Sequence, residues 1–299
     1  MVHMKEEEKG SGEKDGCMEI RCRICGEKKR NKIVTAKEMM YGTREEFVYF
    51  ICGCCGCMQI VKVPDNLGKY YSGDYYSLQQ RKEKDYSHLP KISEERILDV
   101  GCGTGEYLLE MAEKGYGNLY GCDPYIEEDI QYGDRVTIKK GEIGQTEGKY
   151  DRILFQDSFE HIEKPLETLA CVKERLNENG VCYISIPVFP NVAFDAFGAN
   201  WYQLDAPRHL FLHSEKSMEY LCEKCGLKIE EIKYDSNMMQ FVISYFYILG
   251  MPYHTFIEDG ISEIGKYFSK EEWDSFKKAA EEANEKMYGD HAVFKITHV

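Results

Sequence analysis

The sequence lacks the features that would place it across a membrane. It has no run of about twenty apolar residues, the length that spans a bilayer. Its N-terminus has no basic stretch followed by an apolar one, the pattern of a secretory signal. The most apolar segment, residues 238–249, is too short to cross and is followed by Gly250 and Pro252. We therefore expect a cytoplasmic protein without a membrane partner.

An excess of positive charge is also missing. The chain has 38 Lys and Arg against 52 Asp and Glu, a net charge of -14. This balance disfavours a nucleic-acid backbone as the principal partner and favours a small polar substrate. The 299 residues, of which 43% are hydrophobic, suffice for one large domain with a small appendage. The sequence does not predict the oligomeric state.

Cysteine, in contrast, is abundant: thirteen are present without a secretion signal, which indicates a reducing compartment. Two C-x-x-C-G turns recur, and their four thiols, Cys22, Cys25, Cys52 and Cys55, predict a tetrahedral, structural Zn²⁺ site. Cys54 and Cys57 form a competing second pair. We favour Cys52 and Cys55 because Gly56 then repeats the position of Gly26. A segment this small needs the metal for stability.

Residues 97–105, ILDVGCGTG, predict a buried parallel strand, a glycine-rich turn and a following helix over residues 106–114. Backbone N–H groups in such a turn can approach an anionic or nucleotide-like cofactor closely. A dinucleotide fingerprint would need glycine at position 106, where Glu106 stands. The pattern D-x-G-x-G-x-G resembles motif I of class I S-adenosylmethionine (AdoMet) dependent methyltransferases instead.

The later segments have the same resemblance. Strands are predicted at residues 119–123, 136–140, 150–155, 180–187 and 229–234, with a closing antiparallel strand at 292–297. Asp123, after the second strand, can accept both hydroxyls of a ribose. The paired knuckles, a tyrosine-dense linker and motif I together look like a bacterial methyltransferase group with an N-terminal zinc ribbon, often associated with sugar and cell-surface polysaccharide modification.

This resemblance implies a Rossmann-like, seven-stranded α/β sheet with helices on both faces, preceded by a zinc ribbon. It implies AdoMet and structural Zn²⁺ as cofactors. The expected domains are a disordered tail (1–16), the ribbon (17–70) and the methyltransferase domain (71–299), with segments at about 191–214 and 236–268 on the substrate side. The expected cofactor-binding residues are Asp99, Gly101, Cys102, Gly103, Gly105, Asp123, Pro124, Glu142, Ile143, Gln156 and Asp157.

Two segments are candidates for the chemistry. Residues 157–169, DSFEHIEKPLETL, look like the E-H-x-x-x-P segment of small-molecule methyltransferases, so Glu160 and His161 are expected at the catalytic site, with His161 as base or as scaffold. Residues 201–210 resemble the W-x-x-L-D-x-P-R-H-L segment of the same group. There His209 is a second candidate base.

Substrate contacts are expected from four residues. Trp201 can stack on a sugar, Arg208 can bind a phosphate or carboxylate, and Asp205 lies between them. Alternatively, Asp205 and Arg208 pair with each other and pin the loop. In the linker, Tyr76, with Tyr71 and Tyr75, either closes over the cofactor or joins the two modules.

The sequence thus predicts methyl transfer to a small polar acceptor, with a sugar or sugar nucleotide favoured. One alternative is a methyltransferase acting on RNA or protein that uses the ribbon for recognition. The other is a non-catalytic AdoMet-binding adaptor, which the Arg208-His209 loop disfavours.

Overall fold

A computed structural model describes residues 20–71, 78, 89–255 and 267–299. The described part contains a large mixed sheet, a small antiparallel sheet and flanking helices. The strands are β1 (Lys32–Lys37), β2 (Glu46–Ile51), β3 (Met58–Ile60), β4 (Ser93–Val100), β5 (Tyr116–Asp123), β6 (Ile130–Tyr132), β7 (Val136–Lys140), β8 (Tyr150–Gln156), β9 (Leu176–Pro187), β10 (Phe211–Leu212), β11 (Leu227–Tyr234) and β12 (His291–His298). The helices are α1 (Glu106–Glu113), α2 (Pro165–Arg175), α3 (Val192–Phe197), α4 (Glu215–Cys225), α5 (Met239–Ile248) and α6 (Lys270–Glu285).

The large sheet has the strand order β11-β12-β9-β8-β4-β5-β7-β6. Strands β9, β8, β4, β5 and β7 are parallel, and β12 runs antiparallel to both β9 and β11. The predicted seven-stranded arrangement with an antiparallel closing strand is confirmed. The structure adds an eighth strand, the short edge strand β6, which pairs antiparallel with β7. This strand was not predicted from the sequence, because three residues are too few to show a period.

Helices cover both faces of this sheet because successive side chains of a strand point to opposite faces. In β4, Leu98 belongs to the apolar cluster that contains Leu169 of α2 and Leu221 of α4. The adjacent Ile97 belongs to the other cluster, with Leu108 of α1. The expectation of helices on both faces is therefore confirmed.

The helix boundaries have local causes. Pro165 occupies the first turn of α2, where its missing N–H is harmless. Ser214 and Ser269 cap α4 and α6 by accepting from the backbone N–H three residues on, at 3.0 Å and 3.2 Å. Gly226 ends α4 in the left-handed region at φ 66°. No helix among the described residues has the length and apolar character to cross a bilayer.

The small sheet has the order β1-β2-β3-β10. Its fourth strand comes from the predicted substrate-side segment: Phe211 and Leu212 of β10 pair with Gln59 and Met58 of β3. The two sheets also share one apolar cluster, which contains Tyr49 of β2 and Phe155 of β8. The cysteine-rich segment is therefore built into the larger domain. The domain boundary between the ribbon (17–70) and the methyltransferase domain (71–299) remains a prediction. The pairing of β3 with β10 and the shared apolar cluster both connect the two parts.

Candidate functional site

The loop after β4 requires glycine. Gly101, Gly103 and Gly105 have φ values of 75°, 53° and 88°, which L side chains rarely adopt. A Cβ on Gly101 would lie 2.6 Å from Cβ of Ser158, and one on Gly105 would lie 2.4 Å from Cδ1 of Ile138. The glycines therefore allow the loop to pack on the segment after β8 and on β7, which brings three strand ends together.

Asp99, the penultimate residue of β4, is 2% exposed, and its Oδ1 has no hydrogen-bond partner among the described residues. Burial, with the nearby Asp123 charge, raises the pKa of Asp99 to about 8. A buried acceptor without a donor is costly unless a ligand supplies one. The glycine cradle beside this unpaired carboxylate fits a cofactor that carries a cationic amino group, as AdoMet does.

Asp123 braces the same loop. Its Oδ2 accepts from Gly103 N at 2.9 Å, and its Oδ1 accepts from Tyr125 N at 2.8 Å. Burial raises the pKa of Asp123, and these two backbone hydrogen bonds oppose the shift. Each carboxylate oxygen has a second lone pair. The predicted ribose contact therefore stays a prediction compatible with this geometry.

The other expected cofactor-binding residues lie around this loop at different depths. Cys102 is half-buried and points toward Gly121 of β5, where an added Cβ would lie 2.4 Å from its Sγ. Pro124 and Glu142 are exposed, whereas Ile143 is 3% exposed. Gln156 ends β8 and is half-buried. Their roles remain predictions.

A polar pocket of about 390 Å³ lies beside the segment that follows β8. Ser158 joins this segment to the glycine loop, because its Oγ donates to the carbonyl of Val100 at 2.6 Å. The pocket is lined by carboxylates, histidines, tyrosines and amides: Met40, Asp157, Glu160, His161, Tyr202, Gln203, Asp205, His209, Asp235, Ser236, Asn237, Tyr247, Tyr253 and His291. The predicted catalytic residues Glu160, His161 and His209 thus share one pocket adjoining the loop.

Backbone carbonyls orient the two histidines of this group. Nδ1 of His161 lies 2.9 Å from the carbonyl oxygen of Arg208, and Nδ1 of His209 lies 2.7 Å from that of Gln203. Burial lowers the pKa of His161 to about 3, and His209 adds to the effect. Burial also lowers the pKa of His209, although Asp205 opposes it. Both imidazoles are therefore neutral near pH 7, with Nδ1–H donating and Nε2 left as an acceptor.

Arg208 does not face the pocket. Its side chain is fully buried, its Nε donates to Asp205 Oδ2 at 2.8 Å, and its Nη2 lies 3.4 Å from Oε1 of Glu38. The expectation that Arg208 binds a substrate phosphate is thereby corrected. The alternative holds: Arg208 pairs with Asp205, and it also ties the loop to Glu38, which follows β1.

Trp201 is likewise buried, with 1% of its surface exposed, and its indole Nε1–H donates to Asp290 Oδ2 at 3.0 Å. The expectation that its ring stacks on a sugar is corrected, since the ring is enclosed in the protein core. The aromatic residues that do line the pocket are Tyr202, Tyr247 and Tyr253.

Tyr71, in the linker, contacts residues next to the glycine loop and residues of the pocket. Its ring stacks on Tyr125 with centroids 5.5 Å apart, and its hydroxyl lies 3.0 Å from Nδ1 of His161. Tyr75 and Tyr76, the other two predicted lid residues, lie outside the described residues, as does the predicted tail.

The pocket contains a second ionic group, which was not predicted from the sequence. His291, the first residue of β12, lies between Asp157 and Asp235, with ring nitrogens 3.0 Å and 2.6 Å from their Oδ1 atoms. Burial lowers the pKa of His291, but the hydrogen bonds from Asp157 and Asp235 outweigh it and raise the pKa to about 10. The position of His291 in the sequence does indicate this location, because an antiparallel closing strand begins at the edge of the sheet where its parallel neighbours end.

The four predicted zinc ligands, Cys22, Cys25, Cys52 and Cys55, lie together, with all sulfur atoms within 4.8 Å of one another. The Cys22–Cys55 and Cys25–Cys52 sulfur pairs are 3.7 Å and 3.5 Å apart. Zn–S bonds of about 2.3 Å in a tetrahedron place sulfurs about 3.8 Å apart, so the group fits Zn²⁺.

The surrounding donors also suit thiolate ligands. Gln59 Nε2 lies 3.2 Å from Cys22 Sγ, and the backbone N–H groups of Cys25 and Cys54 approach Cys22 and Cys52 Sγ at 3.5 Å and 3.4 Å. The competing Cys57 is fully buried outside the group and contacts the Met58 carbonyl through its own sulfur.

The parallel sheet with an antiparallel closing strand, the glycine loop at a strand end and the adjoining pocket define a class I methyltransferase fold. Residues 76–232 match the family described as "Methyltransferase domain", which is more than half of the chain. The chain therefore belongs to this methyltransferase family. The predicted class is confirmed at the level of family and fold.

Curated relatives match part of the chain. Over 152 residues it is 26% identical to the tRNA U34 carboxymethyltransferase of Campylobacter jejuni, covering 48% of this chain and 52% of that protein. Over 112 residues it is 30% identical to the ubiquinone biosynthesis O-methyltransferase of Rickettsia bellii, covering 34% and 46%. The chain thus spans about half the length of these relatives. Magnesium protoporphyrin IX methyltransferase from Synechocystis PCC 6803, solved with bound SAH, aligns with a TM-score of 0.38 at 19% identity, covering 50% of this chain and 71% of that one.

Proposed function

We propose that the protein transfers the methyl group of AdoMet to a hydroxyl of a small, neutral or cationic polar acceptor, most simply a sugar, bound in the pocket beside the glycine loop. The observation that carries this proposal is the composition of the pocket. Four carboxyl groups line it, from Asp157, Glu160, Asp205 and Asp235, and no lysine or arginine is among the described lining residues. Such a surface offers many acceptors for hydroxyl groups, and its cationic residue, His291, is already held by Asp157 and Asp235, so it is not available to a phosphate.

AdoMet would supply an electrophilic methyl group on a sulfonium. Asp99 and the loop of Gly101, Gly103 and Gly105 would hold it. The chain's other task is to align the acceptor oxygen and exclude water. Glu160 and His161 are placed for this because they lie on the segment that Ser158 fixes to the glycine loop. His209, on the 201–210 loop, lies beside them, with its ring centroid 4.7 Å from that of His161. We assign these three residues to holding the acceptor hydroxyl and promoting the loss of its proton.

We also propose that the four cysteines bind Zn²⁺ and that this ion has a structural role. Four thiolates fill the coordination shell and leave no position for a substrate. Residues near the four cysteines touch the catalytic half directly: Tyr49 donates its hydroxyl to the carbonyl of His209 at 2.9 Å. Loss of the ion would therefore disturb the pocket, because β2 connects the cysteine-rich segment to His209.

An RNA acceptor is the second candidate, supported by the name of the Campylobacter relative. The net charge of -14 and the carboxylates of the pocket disfavour it. A nucleotide sugar is compatible only if its phosphates lie outside the pocket, since Arg208 is committed to Asp205 and Glu38.

The test is to incubate the zinc-loaded full chain with isotopically labelled AdoMet and either a panel of nucleotide sugars and free sugars or tRNA. We expect labelled product from a sugar and none from tRNA. Label in tRNA alone would overturn the sugar assignment, and no cofactor binding by calorimetry would overturn methyl transfer itself.

Variants then locate the site. His161→Gln and His209→Gln should lower turnover about 100-fold while AdoMet affinity changes less than about twofold, because both residues face the acceptor. His298→Gln is the matched control: this histidine lies at the opposite end of β12, against the carbonyl of Leu176. Equal turnover in all three variants would contradict the assignment.

A further inference from the structure

Glu160, His161 and His209 have the arrangement of metal ligands. One ligand atom from each lies within 4.8 Å of the other two. His209 Nε2 is 3.7 Å from Glu160 Oε1, and the two imidazole centroids are 4.7 Å apart. Metal–ligand bonds of about 2.1 Å hold ligand atoms about 3.0–3.4 Å apart, so the three side chains would draw closer together when they bind an ion.

The hydrogen bonds of the two histidines prepare them for this role. Each Nδ1 lies against a backbone carbonyl, at 2.9 Å for His161 and 2.7 Å for His209. Metal-binding histidines are held in this way in general, because the donated N–H fixes the ring and leaves the other nitrogen as an acceptor. The nitrogens available to an ion are therefore the two Nε2 atoms.

Glu160 supplies an independent observation. Its side chain is fully buried, and neither carboxylate oxygen has a hydrogen-bond partner among the described residues. Two unsatisfied buried oxygens are expensive, and the guanidinium of Arg208, the residue next to His209, is held by Asp205 and Glu38. A cation placed between this carboxylate and the two imidazoles would satisfy both oxygens.

We propose that Glu160, His161 and His209 bind one divalent transition-metal ion at the wall of the pocket, separate from the four-cysteine site. Two imidazoles and one carboxylate leave further coordination positions open toward the pocket. A role for the ion in holding the acceptor's hydroxyl oxygen rests on the proposed function, whereas the binding of the ion does not.

Mn²⁺ is the probe, because this hard ion prefers nitrogen and oxygen ligands and discriminates against four thiolates. The zinc-loaded full chain is titrated with Mn²⁺ without AdoMet or acceptor, and free Mn²⁺ is measured by electron paramagnetic resonance. We expect one bound Mn²⁺ per chain in addition to one tightly bound zinc. Glu160→Gln should weaken Mn²⁺ binding at least about tenfold. His291→Asn, which removes a pocket histidine outside the group, should change it less than about twofold.

Circular dichroism and AdoMet binding check that each variant is folded. If Glu160→Gln does not fold, His209→Asn takes its place with the same expected loss. The proposal is overturned if the wild type binds no Mn²⁺, or if the Glu160 and His209 variants bind it as the His291 control does. Because the titration contains neither cofactor nor acceptor, a failure of methyl transfer leaves its result unaffected, and the reverse is also true.

Discussion

Replacing Arg208 with Met tests how the cysteine-rich segment is joined to the larger domain. Arg208 is fully buried and pairs with Asp205 and with Glu38, which is also fully buried. Removing one partner of a buried pair costs about 3–5 kcal/mol, because the remaining carboxylates lose their counter-charge. Glu38 keeps its hydrogen bonds from the Tyr41 and Thr43 backbone, so we expect the lower part of this range, about 3 kcal/mol.

The chain offers a matched control in Arg152, whose Nη2 lies 2.8 Å from Glu95 Oε2, with both side chains 37% exposed. Arg152→Met should cost no more than about 1 kcal/mol, since an exposed pair is solvated and screened. Urea unfolding of zinc-loaded protein measures both free energies. In a thermal scan, Arg208→Met should lower Tm by about 6–10 °C. Equal losses in the two variants would refute the reasoning from burial.

The same unfolding measurement at acid pH provides a further test. Burial raises the pKa of Asp205, but the Arg208 guanidinium outweighs it and holds the pKa below its usual value. A lowered folded-state pKa contributes stability that is present above the unfolded pKa of about 4 and is lost as pH falls through the folded value. The difference between wild type and Arg208→Met should therefore shrink at acid pH.

Two further predictions concern single residues. Asp99→Asn should weaken AdoMet binding at least about tenfold in calorimetry. Without cofactor, the same variant should be at least as stable as wild type. Its gain in stability should grow from pH 5 to pH 8, because the raised pKa of Asp99 makes ionisation of this carboxyl costly. If the variant binds AdoMet with wild-type affinity, the fit of Asp99 to AdoMet is contradicted. His291→Asn should cost about 1–2 kcal/mol near pH 6, a value reduced for the exposure of Asp157 and Asp235. Because the pKa of His291 is raised in the folded state, its contribution to stability is complete below pH 6.5 and is lost as pH rises through about 10. A cost of His291→Asn that does not depend on pH would contradict the pairing of His291 with the two aspartates.

Much of the fold could be predicted because its signals are local. The glycine pattern after β4 requires a turn with positive φ, and Asp123 ends the next strand as predicted. Ser214 and Ser269 cap helices through a signal of the same kind, because a cap depends only on residues three apart. The two C-x-x-C-G turns likewise identify their thiols by short spacing, with Gly56 favouring Cys52 and Cys55 over the competing pair Cys54 and Cys57.

The side-chain roles in the segment around residues 201–210 could not be predicted in the same way. Tryptophan, carboxylate, arginine and histidine in one loop suit a ligand site or a buried network equally well. The decision depends on what packs against the loop, and here Asp290, Glu38 and β3 do so. These partners come from distant parts of the chain, so Trp201 and Arg208 are enclosed while His209 stays at the pocket.

The sequence by itself determined the class of sheet, the position of the glycine loop and the identity of the clustered thiols, because each is set by periodicity or by short spacing. Only the tertiary structure decided that neither carboxylate oxygen of the buried Glu160 has a hydrogen-bond partner among the described residues, that His161 and His209 line one pocket with each Nδ1 against a backbone carbonyl, and that His291 joins them from the last strand. The physical reason is that burial and charge pairing are sums over neighbours far apart in sequence, and a one-dimensional pattern contains no such sum.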